Sequence, residues 1–416
     1  MQQKVSGDYM ENAKRQKSMQ VSKKNKTKFR NGLRNKLTEK TDYYDYNLVA
    51  VIILLTCFGL VMLYSTTAYT ATVRYDNDMF FFKKQAIISF VCIAGALIES
   101  TMDYHILAKF SGALYIAAVF FMGLVKTPLG VIINGARRWL KFGPIQFQPA
   151  EIAKIAVIVC LSYMIIHMGK KMKTFKACAI LGFMGTFLAF MAYYFTDNLS
   201  TAIIIFCITI GMIFIAHPKT RIFIILLSVG IVLVTAFVIF VDVKMPDTEN
   251  FRLQRILTWL HPETSETEGA YQTIQALYAI GSGGFLGRGL GNSIQKLGSV
   301  PEAENDMIFS IVCEELGIIG GIIVLLLFTY LLYRLFFIAQ NAPDLFGTLI
   351  VSGVFIHIAL QVVLNIAVVV NVIPNTGITL PFISYGGTSI AFLMAEMGMA
   401  LSVSRQIKFK DPERGL

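Results

Sequence analysis

The amino-acid sequence predicts an all-α membrane protein of about ten transmembrane helices, with a large extracytoplasmic loop between the seventh and the eighth. Three observations carry that expectation. Hydrophobic residues make up 55% of the 416, charged residues only 15%, and the mean hydropathy is +0.61, too apolar for a soluble domain of this length. The apolar residues fall in long runs, each near the roughly 20 residues that cross a bilayer. Between the runs, lysine and arginine concentrate in alternate connections, as they do in multi-pass proteins.

The first 45 residues form a basic tail, expected to be disordered and cytoplasmic. Lysines and arginines from Lys4 to Lys40 far outnumber its acids, which are Asp8, Glu11, Glu39, Asp42 and Asp45. A basic tail beside a span fixes orientation and lies against anionic membrane lipid, so the net charge of +11 makes no case for nucleic acid. No cleavable signal peptide is visible, and the first span serves as the insertion signal. Candidate spans lie at 47–67, 85–101, 106–125, 150–168, 177–195, 199–216, 220–243, 307–338, 346–370 and 386–404, within a membrane domain covering 46–405. The second is short and ends at Glu99; the eighth is long and starts outside the bilayer. Lys170, Lys171, Lys173 and Lys176 follow the fourth span, Lys219 and Arg221 the sixth, Arg334 closes the eighth, and Arg405, Lys408 and Lys410 lead into a second tail over 406–416. The positive-inside rule therefore puts both termini in the cytoplasm.

Four connections depart from this pattern, and all four fall outside: 126–149, 195–199, 244–306 and the Pro/Gly-rich 371–387. The first carries Arg137, Arg138 and Lys141. Positive charge on the outer side opposes the topological rule, and binding an anion is a use that would retain it.

Asn134-Gly-Ala-Arg-Arg-Trp139 is followed by Gln148-Pro-Ala-Glu151 and Lys154. Pro149 suits a first helical turn, and Glu151 and Lys154, three apart, share a face. An ionisable pair entering the bilayer faces the bundle interior or a wet cavity. Arg137, Arg138 and Lys154 around a phosphate is one reading; a helix cap with a local ion pair and interfacial arginines is the other. Gly281-Ser-Gly-Gly-Phe-Leu-Gly-Arg-Gly-Leu-Gly291 could converge backbone amides on an anion, or could simply turn between two interfacial helices. It lacks the GK[ST] ending of a P-loop. Pro301-Glu-Ala-Glu-Asn-Asp306 reads as the opening of the eighth helix, with Asp306 one turn deeper against Met307, Ile308 and Phe309. A carboxylate at that low-dielectric boundary is a candidate general base, or a ligand for a divalent cation such as Mg or Mn. Glu314, Glu315 and Glu396 are buried acids for which helix-to-helix hydrogen bonding is an equal explanation. Residues 373–389, with Pro374, Pro381 and Ser384, form a broken segment, either re-entrant and shaping a groove or a tight interhelical turn. The six cysteines lack paired spacing, the five histidines are scattered, and nothing in the chain asks for an organic cofactor.

These segments together resemble the SEDS (shape, elongation, division and sporulation) family of peptidoglycan glycosyltransferases. The resemblance rests on GARRW with QPAEIAK, RLQRIL with HPE, AYQTIQAL with AIGSGGFLGRGLGNS, PEAENDMIFSIVCEELG, and NTGITLPFISYGGTS, in order from about residue 45 to 405. The stretch GNSIQKLG is more similar to the FtsW members than to RodA, with a sporulation paralogue of FtsW as a further possibility. The resemblance implies polymerisation of lipid II, an undecaprenyl-pyrophosphate-linked disaccharide-pentapeptide, on the outer face of the cytoplasmic membrane, with septal synthesis as the expected setting. It implies a catalytic aspartate at Asp306 and donor-site cations at Arg138 and Lys154. Arg137, Glu151, Asp197, Lys296, Glu302 and Ser384 complete the candidate substrate-binding set. It also implies a class B penicillin-binding protein as transpeptidase partner and contact with other divisome proteins. Two positions depart from the family pattern: Asn198 stands where an acid often precedes the small-Thr-Ala run, and Glu304 where histidine is common. The rival functions are a lipid II flippase, which would need polar residues through both leaflets, and a non-catalytic scaffold.

Overall fold

The computed structural model of the protein describes residues 40–410 apart from 134, 144, 246, 247, 249, 264, 266, 298 and 299. The basic tail up to residue 39, residues 411–416 and Asn134 of the first motif lie outside the described residues. Ten helices coincide with the expected spans: α1 (Tyr46–Tyr75), α2 (Phe80–Glu99), α3 (His105–Leu124), α4 (Pro149–Met168) and α5 (Phe175–Thr196); then α6 (Leu199–Ala216), α7 (Thr220–Lys244), α10 (Ile308–Asn341), α11 (Leu345–Val369) and α12 (Ser389–Arg405). Two shorter helices, α8 (Phe251–Leu260) and α9 (Glu268–Gly283), lie in the long connection between α7 and α10. Among the described residues, nine helices are long and apolar enough to cross a membrane. The tenth, α12, has 17 residues, the short end of what spans. The chain is a multi-pass membrane protein.

Local sequence sets the helix ends. Asp45, Thr174, Asn198, Asn250, Thr267 and Asp344 each cap a following helix, the side chain accepting from a backbone amide two or three residues on. Asp197 closes α5 in the left-handed conformation (φ 47°), which lets α6 start two residues later. Asp45 is also held by Arg334 of α10 (Nη2–Oδ2 2.7 Å), a buried pair tying the start of α1 to a helix far away in sequence. The most buried spans are α4 and α11, which lie at the centre of the bundle against each other and α6. The membrane window of α7 carries no buried residue, and its principal neighbour is α8. The two ends of the chain form a separate unit, in which β1 (Lys40–Asp42) pairs antiparallel with a strand at Lys408–Lys410.

Three features differ from the expectations. Residues 126–149 are not a plain loop: β2 (Gly130–Ile133), β3 (Ala136–Phe142) and β4 (Ile145–Phe147) form a small antiparallel sheet with a register shift between Val131 and Ile132. Residues 301–306 are not the first turn of α10. Glu302 takes a left-handed conformation (φ 55°), so the segment is a compact turn and the helix begins at Ile308. The eighth span is itself broken, with Gly317 at φ 68° and ψ −168°.

The break explains the glycine-rich segment. Arg288 and Gly289 donate their amides to the carbonyls of Glu314 and Glu315 (3.0 and 2.9 Å), and the Ile318 and Ile319 amides donate to the carbonyls of Gly284 and Phe285 (3.0 and 3.4 Å). The loop thus replaces the helical bonds lost at the kink, as backbone in a low-dielectric setting requires. Side chains have no room there: a Cβ on Gly287 would sit 2.1 Å from the Glu315 carbonyl oxygen, and one on Gly317 2.3 Å from that of Phe285. Two of the amides that could have cradled an anion are committed to this contact. Glu314 accepts from Ser293 Oγ and the Ile294 amide, and Glu315 pairs with Lys296 (Nζ–Oε1 2.7 Å) and Ser65, so the buried acids fasten the same loop.

Gly287→Ala is expected to destabilise the protein by ~2 kcal/mol or more, since φ 78° and the contact with Glu315 both oppose a side chain. A lowered thermal unfolding temperature in detergent is the readout.

Candidate active site

The site is built where the 301–306 turn meets the broken segment 371–387. Ser384 Oγ accepts from the Leu380 amide (2.8 Å) and donates to the Asn305 carbonyl (2.6 Å), and the Tyr385 amide donates to the Glu304 carbonyl (2.8 Å). Asn365 of α11, fully buried, donates from Nδ2 to both the Asp306 carbonyl (2.8 Å) and the Ile378 carbonyl (2.7 Å). Gln272 of α9 donates to the Pro301 carbonyl and accepts from Asn375 Nδ2. The irregular backbone of both segments is therefore satisfied by side chains of the bundle, the condition under which it persists at membrane depth. Segment 371–387 also lies directly on α1, where a Cβ on Gly59 would meet the Phe382 carbonyl oxygen at 2.6 Å.

Asp306 ends up 7% exposed, just before the first residue of α10, and its Oδ1 is buried without a hydrogen-bond partner. Gly377 (φ 67°) keeps the space beside it open, since a Cβ there would lie 3.8 Å from Oδ2. Burial is the main cause that pushes the Asp306 carboxyl up to about 7; Glu302 and Glu304 push the same way, and Arg255 opposes. A carboxyl that ionises near neutrality with an open lone pair is suited to take up a proton.

The cations facing this carboxyl come from α8 and β3. Arg255 and Arg252 lie one turn apart on α8, and Arg138 stands on β3; Arg138, Arg252 and Asp306 each act on the charge of Arg255. Arg255 donates to the Asn375 carbonyl (3.3 Å). Arg252 donates to Tyr193 Oη (3.0 Å) and stacks over that ring. Arg138 donates from Nη2 to the Asp197 carbonyl (3.2 Å), while its Nε is buried without a partner. Burial and the neighbouring arginines lower the Arg255 pKa, and an anion bound between them would relieve that cost.

The other candidate residues are distributed around this centre. Arg137 donates to the Lys126 carbonyl, and Lys126 reaches Asp197 (3.6 Å). Lys154 and Glu151 form a buried ion pair (2.9 Å) on one face of α4, as their spacing predicts. Glu302 is exposed and accepts from Asn305 Nδ2. Lys296 is held by Glu315 beside the helix break, and Ser384 works as the clasp of the turn. Among the described residues no three His, Cys, Asp or Glu side chains converge on a metal position. Sequence reasoning left Arg252, Arg255 and Asn365 out of the site. The i, i+3 arginines in an amphipathic segment were a usable signal for the first two; nothing local marks Asn365.

Over residues 45–409 the chain matches the cell cycle protein family that takes in FtsW, RodA and SpoVE. It belongs to that family. Stage V sporulation protein E of Bacillus subtilis (strain 168) is 36% identical over 374 residues, covering 90% of this chain and 100% of that protein. The probable peptidoglycan glycosyltransferase FtsW of Geobacter sp. (strain M18) is 32% identical, covering 89% and 99%. Among solved structures, a chain from a peptidoglycan synthase complex that coordinates polymerization and crosslinking matches at TM-score 0.72 and 25% identity, covering 87% of this chain and 98% of that one. The rod shape determining protein RodA of Thermus thermophilus matches at 0.58 and 25%, covering 88% and 97%.

The position of Asp306 has a consequence for stability. Its native pKa of about 7 stands above the ordinary 3.8, so the folded state holds this proton more tightly than the unfolded chain does. Stability from this group is complete at low pH and is lost as pH rises from about 4 through about 7. Asp306→Asn, which stays neutral, is expected to raise the unfolding temperature relative to wild type at about pH 8 and to change it little at about pH 4.

Proposed function

We propose that this protein is a peptidoglycan glycosyltransferase that polymerises lipid II, with Asp306 as general base and Arg138, Arg252 and Arg255 as the pyrophosphate site. The unpartnered oxygen of a buried carboxyl, opposed by a guanidinium and lying at the end of a membrane helix, carries this reading. Membership of a family with relatives named probable peptidoglycan glycosyltransferases supports the substrate class.

In this mechanism Asp306 Oδ1 takes the proton from a sugar hydroxyl of the acceptor as that oxygen attacks the anomeric carbon of the donor. The bond from that carbon to the pyrophosphate oxygen breaks, and undecaprenyl pyrophosphate leaves with its charge offset by the arginines. Guanidinium forks match phosphate oxygens, and the buried Arg138 Nε is a donor with nothing else to bind. The lipid tails stay in the bilayer between helices, which is the reason for a membrane fold around a sugar reaction. Lys154, committed to Glu151, supports α4 beside the site and adds its charge from there. Asp306 would be the protein ligand of a divalent cation such as Mg or Mn, which would share the charge of the pyrophosphate; among the described residues no three His, Cys, Asp or Glu side chains converge there.

The basic connections support a topology with both termini in the cytoplasm and the 244–306 and 371–387 segments outside, the side on which lipid II would be polymerised. A class B penicillin-binding protein is the proposed crosslinking partner, with other divisome proteins at the division septum; likeness to a chain of a synthase complex supports it.

In purified protein supplied with lipid II, Asp306→Asn is expected to cut strand synthesis by about 10²–10⁴-fold while the protein remains folded. Near-normal polymerisation would remove Asp306 from the chemistry. The wild-type rate should rise with pH through about 7 and then level, because the base must be ionised to act. Arg255→Ala should lower kcat by about 10²-fold, with a smaller change in KM, if its charge meets the leaving pyrophosphate; a pure KM effect would confine it to ground-state binding.

A further inference from the structure

Asp306 has a polar neighbour that the proposed chemistry leaves unused. His357, Gln361 and Asn365 recur every four residues along α11 and so share one face, about 6 Å apart along the helix axis. All three are buried in the bundle, at 1%, 5% and 0% exposure. Each uses part of its hydrogen-bonding capacity and leaves one atom without a partner. Asn365 donates to the Asp306 and Ile378 carbonyls, and its Oδ1 has no partner. Gln361 donates to the Thr379 carbonyl (3.1 Å), and its Oε1 has none. His357 Nδ1 meets both oxygens of the buried Glu396 of α12 (2.9 and 2.7 Å), and its Nε2 has none. Asp306 Oδ1 and Thr376 Oγ1 share that condition at the outer end.

An unpartnered buried polar atom costs a few kcal/mol, so a row of them on one stripe signals bound water. A step of about 6 Å takes one or two water molecules, and two amide oxygens along the wall supply the acceptors that would hold them. We propose that a file of internal water along this face of α11 joins the Asp306 carboxyl to the His357–Glu396 pair, and that the pair stores the proton Asp306 takes from the acceptor until product has left the outer mouth. The inference rests on Asp306 as the base.

The transfer balances. The Asp306 O–H bond breaks as its proton enters the file, and a proton from the far end of the file binds His357 Nε2. The Nδ1–H bond of His357 then breaks as an O–H bond forms on Glu396. Asp306 is left ionised while the pair holds the proton. Once undecaprenyl pyrophosphate has left, the Glu396 O–H bond breaks as the Nδ1–H bond of His357 re-forms. Nε2 then gives a proton back to the file, and it passes to bulk water at the outer mouth, so the next turnover starts from the same state. Gln361 and Asn365 are positioning residues for the file. The charges near the two ends are few: Glu302, Glu304 and Arg255 act on Asp306, and Glu99 of α2 lies against Gly398, two residues from Glu396. Arg74 of α1 acts on Glu304, and Glu151–Lys154, Glu315–Lys296, Asp45–Arg334 and Glu314 with Ser293 are paired elsewhere on the packed elements.

The test uses full-length protein and lipid II, with Gln361→Leu and Glu396→Gln. Each variant is expected to lower kcat by about tenfold at about pH 6 with KM unchanged, to approach wild type as pH rises, and to be restored by added imidazole, a small base that can take the proton at the mouth. A loss equal at every pH and indifferent to imidazole would make the stripe purely structural, and unchanged kcat in both variants would also overturn the proposal. Should Glu396→Gln fail to fold, millisecond hydroxyl-radical footprinting of the wild type decides: the file predicts oxidation of His357 despite its burial, and an unlabelled His357 overturns it. Asp306→Asn run in parallel separates the two readings. If it stays active, the base assignment fails; if it is inactive while both stripe variants behave as wild type, only the route fails.

Discussion

The exchange of main-chain hydrogen bonds between the glycine-rich loop and the broken helix α10 is the interaction on which the rest of the site depends. A helix interrupted at Gly317 leaves carbonyls and amides that no water can satisfy in the bilayer interior. Residues 283–289 supply partners for both sides of the break, and they approach closely enough only because they lack side chains at the contact points. Glu314, Glu315 and Lys296 lock the same loop from the side. The long connection is thereby held against the helix that Asp306 precedes.

A second set of bonds works toward the same end from the opposite side. Asn365, Ser384 and Gln272 tie the 301–306 turn to the segment after α11, so the Asp306 backbone is fixed from α9, from α11 and from 371–387. With the backbone held, the side chain can remain buried and unpartnered, and burial in turn raises its proton affinity. The opposing arginines come from α8, which packs on α7 and α9, and from β3, which packs on α4 and α5. The raised proton affinity at this place is thus produced by the scaffold's rigidity: a mobile aspartate would find a donor or water and return to an ordinary carboxylate.

The ten helices were legible because length and apolarity are local properties, and the bundle buries what those runs imply. Asp306 was legible too, since an acid set against Met307, Ile308 and Phe309 conflicts with its neighbours. The sheet over 130–147 was hidden by short strands of mixed polarity that carry little alternation. The helix break was hidden because Gly317 sits in an unbroken apolar run and takes its conformation from a loop preceding it in the chain. Arg255 and Asn365 entered the site through contacts with residues remote in sequence, Asn375 for one and Asp306 for the other. Fold followed from composition; the assembly of the site followed from tertiary contacts that no window along the chain contains.

The isolation of α7 gives the bilayer itself a hold on the chemistry. Its 25 residues reach about 37 Å, beyond a hydrocarbon thickness of about 30 Å, and with Val241 alone buried, outside the membrane window, its inclination answers to lipid more than to protein. The helix it leans on, α8, carries Arg252 and Arg255. A change in that inclination would reach the candidate site through these two guanidiniums, a path from acyl-chain length to charge placement that needs no change in sequence.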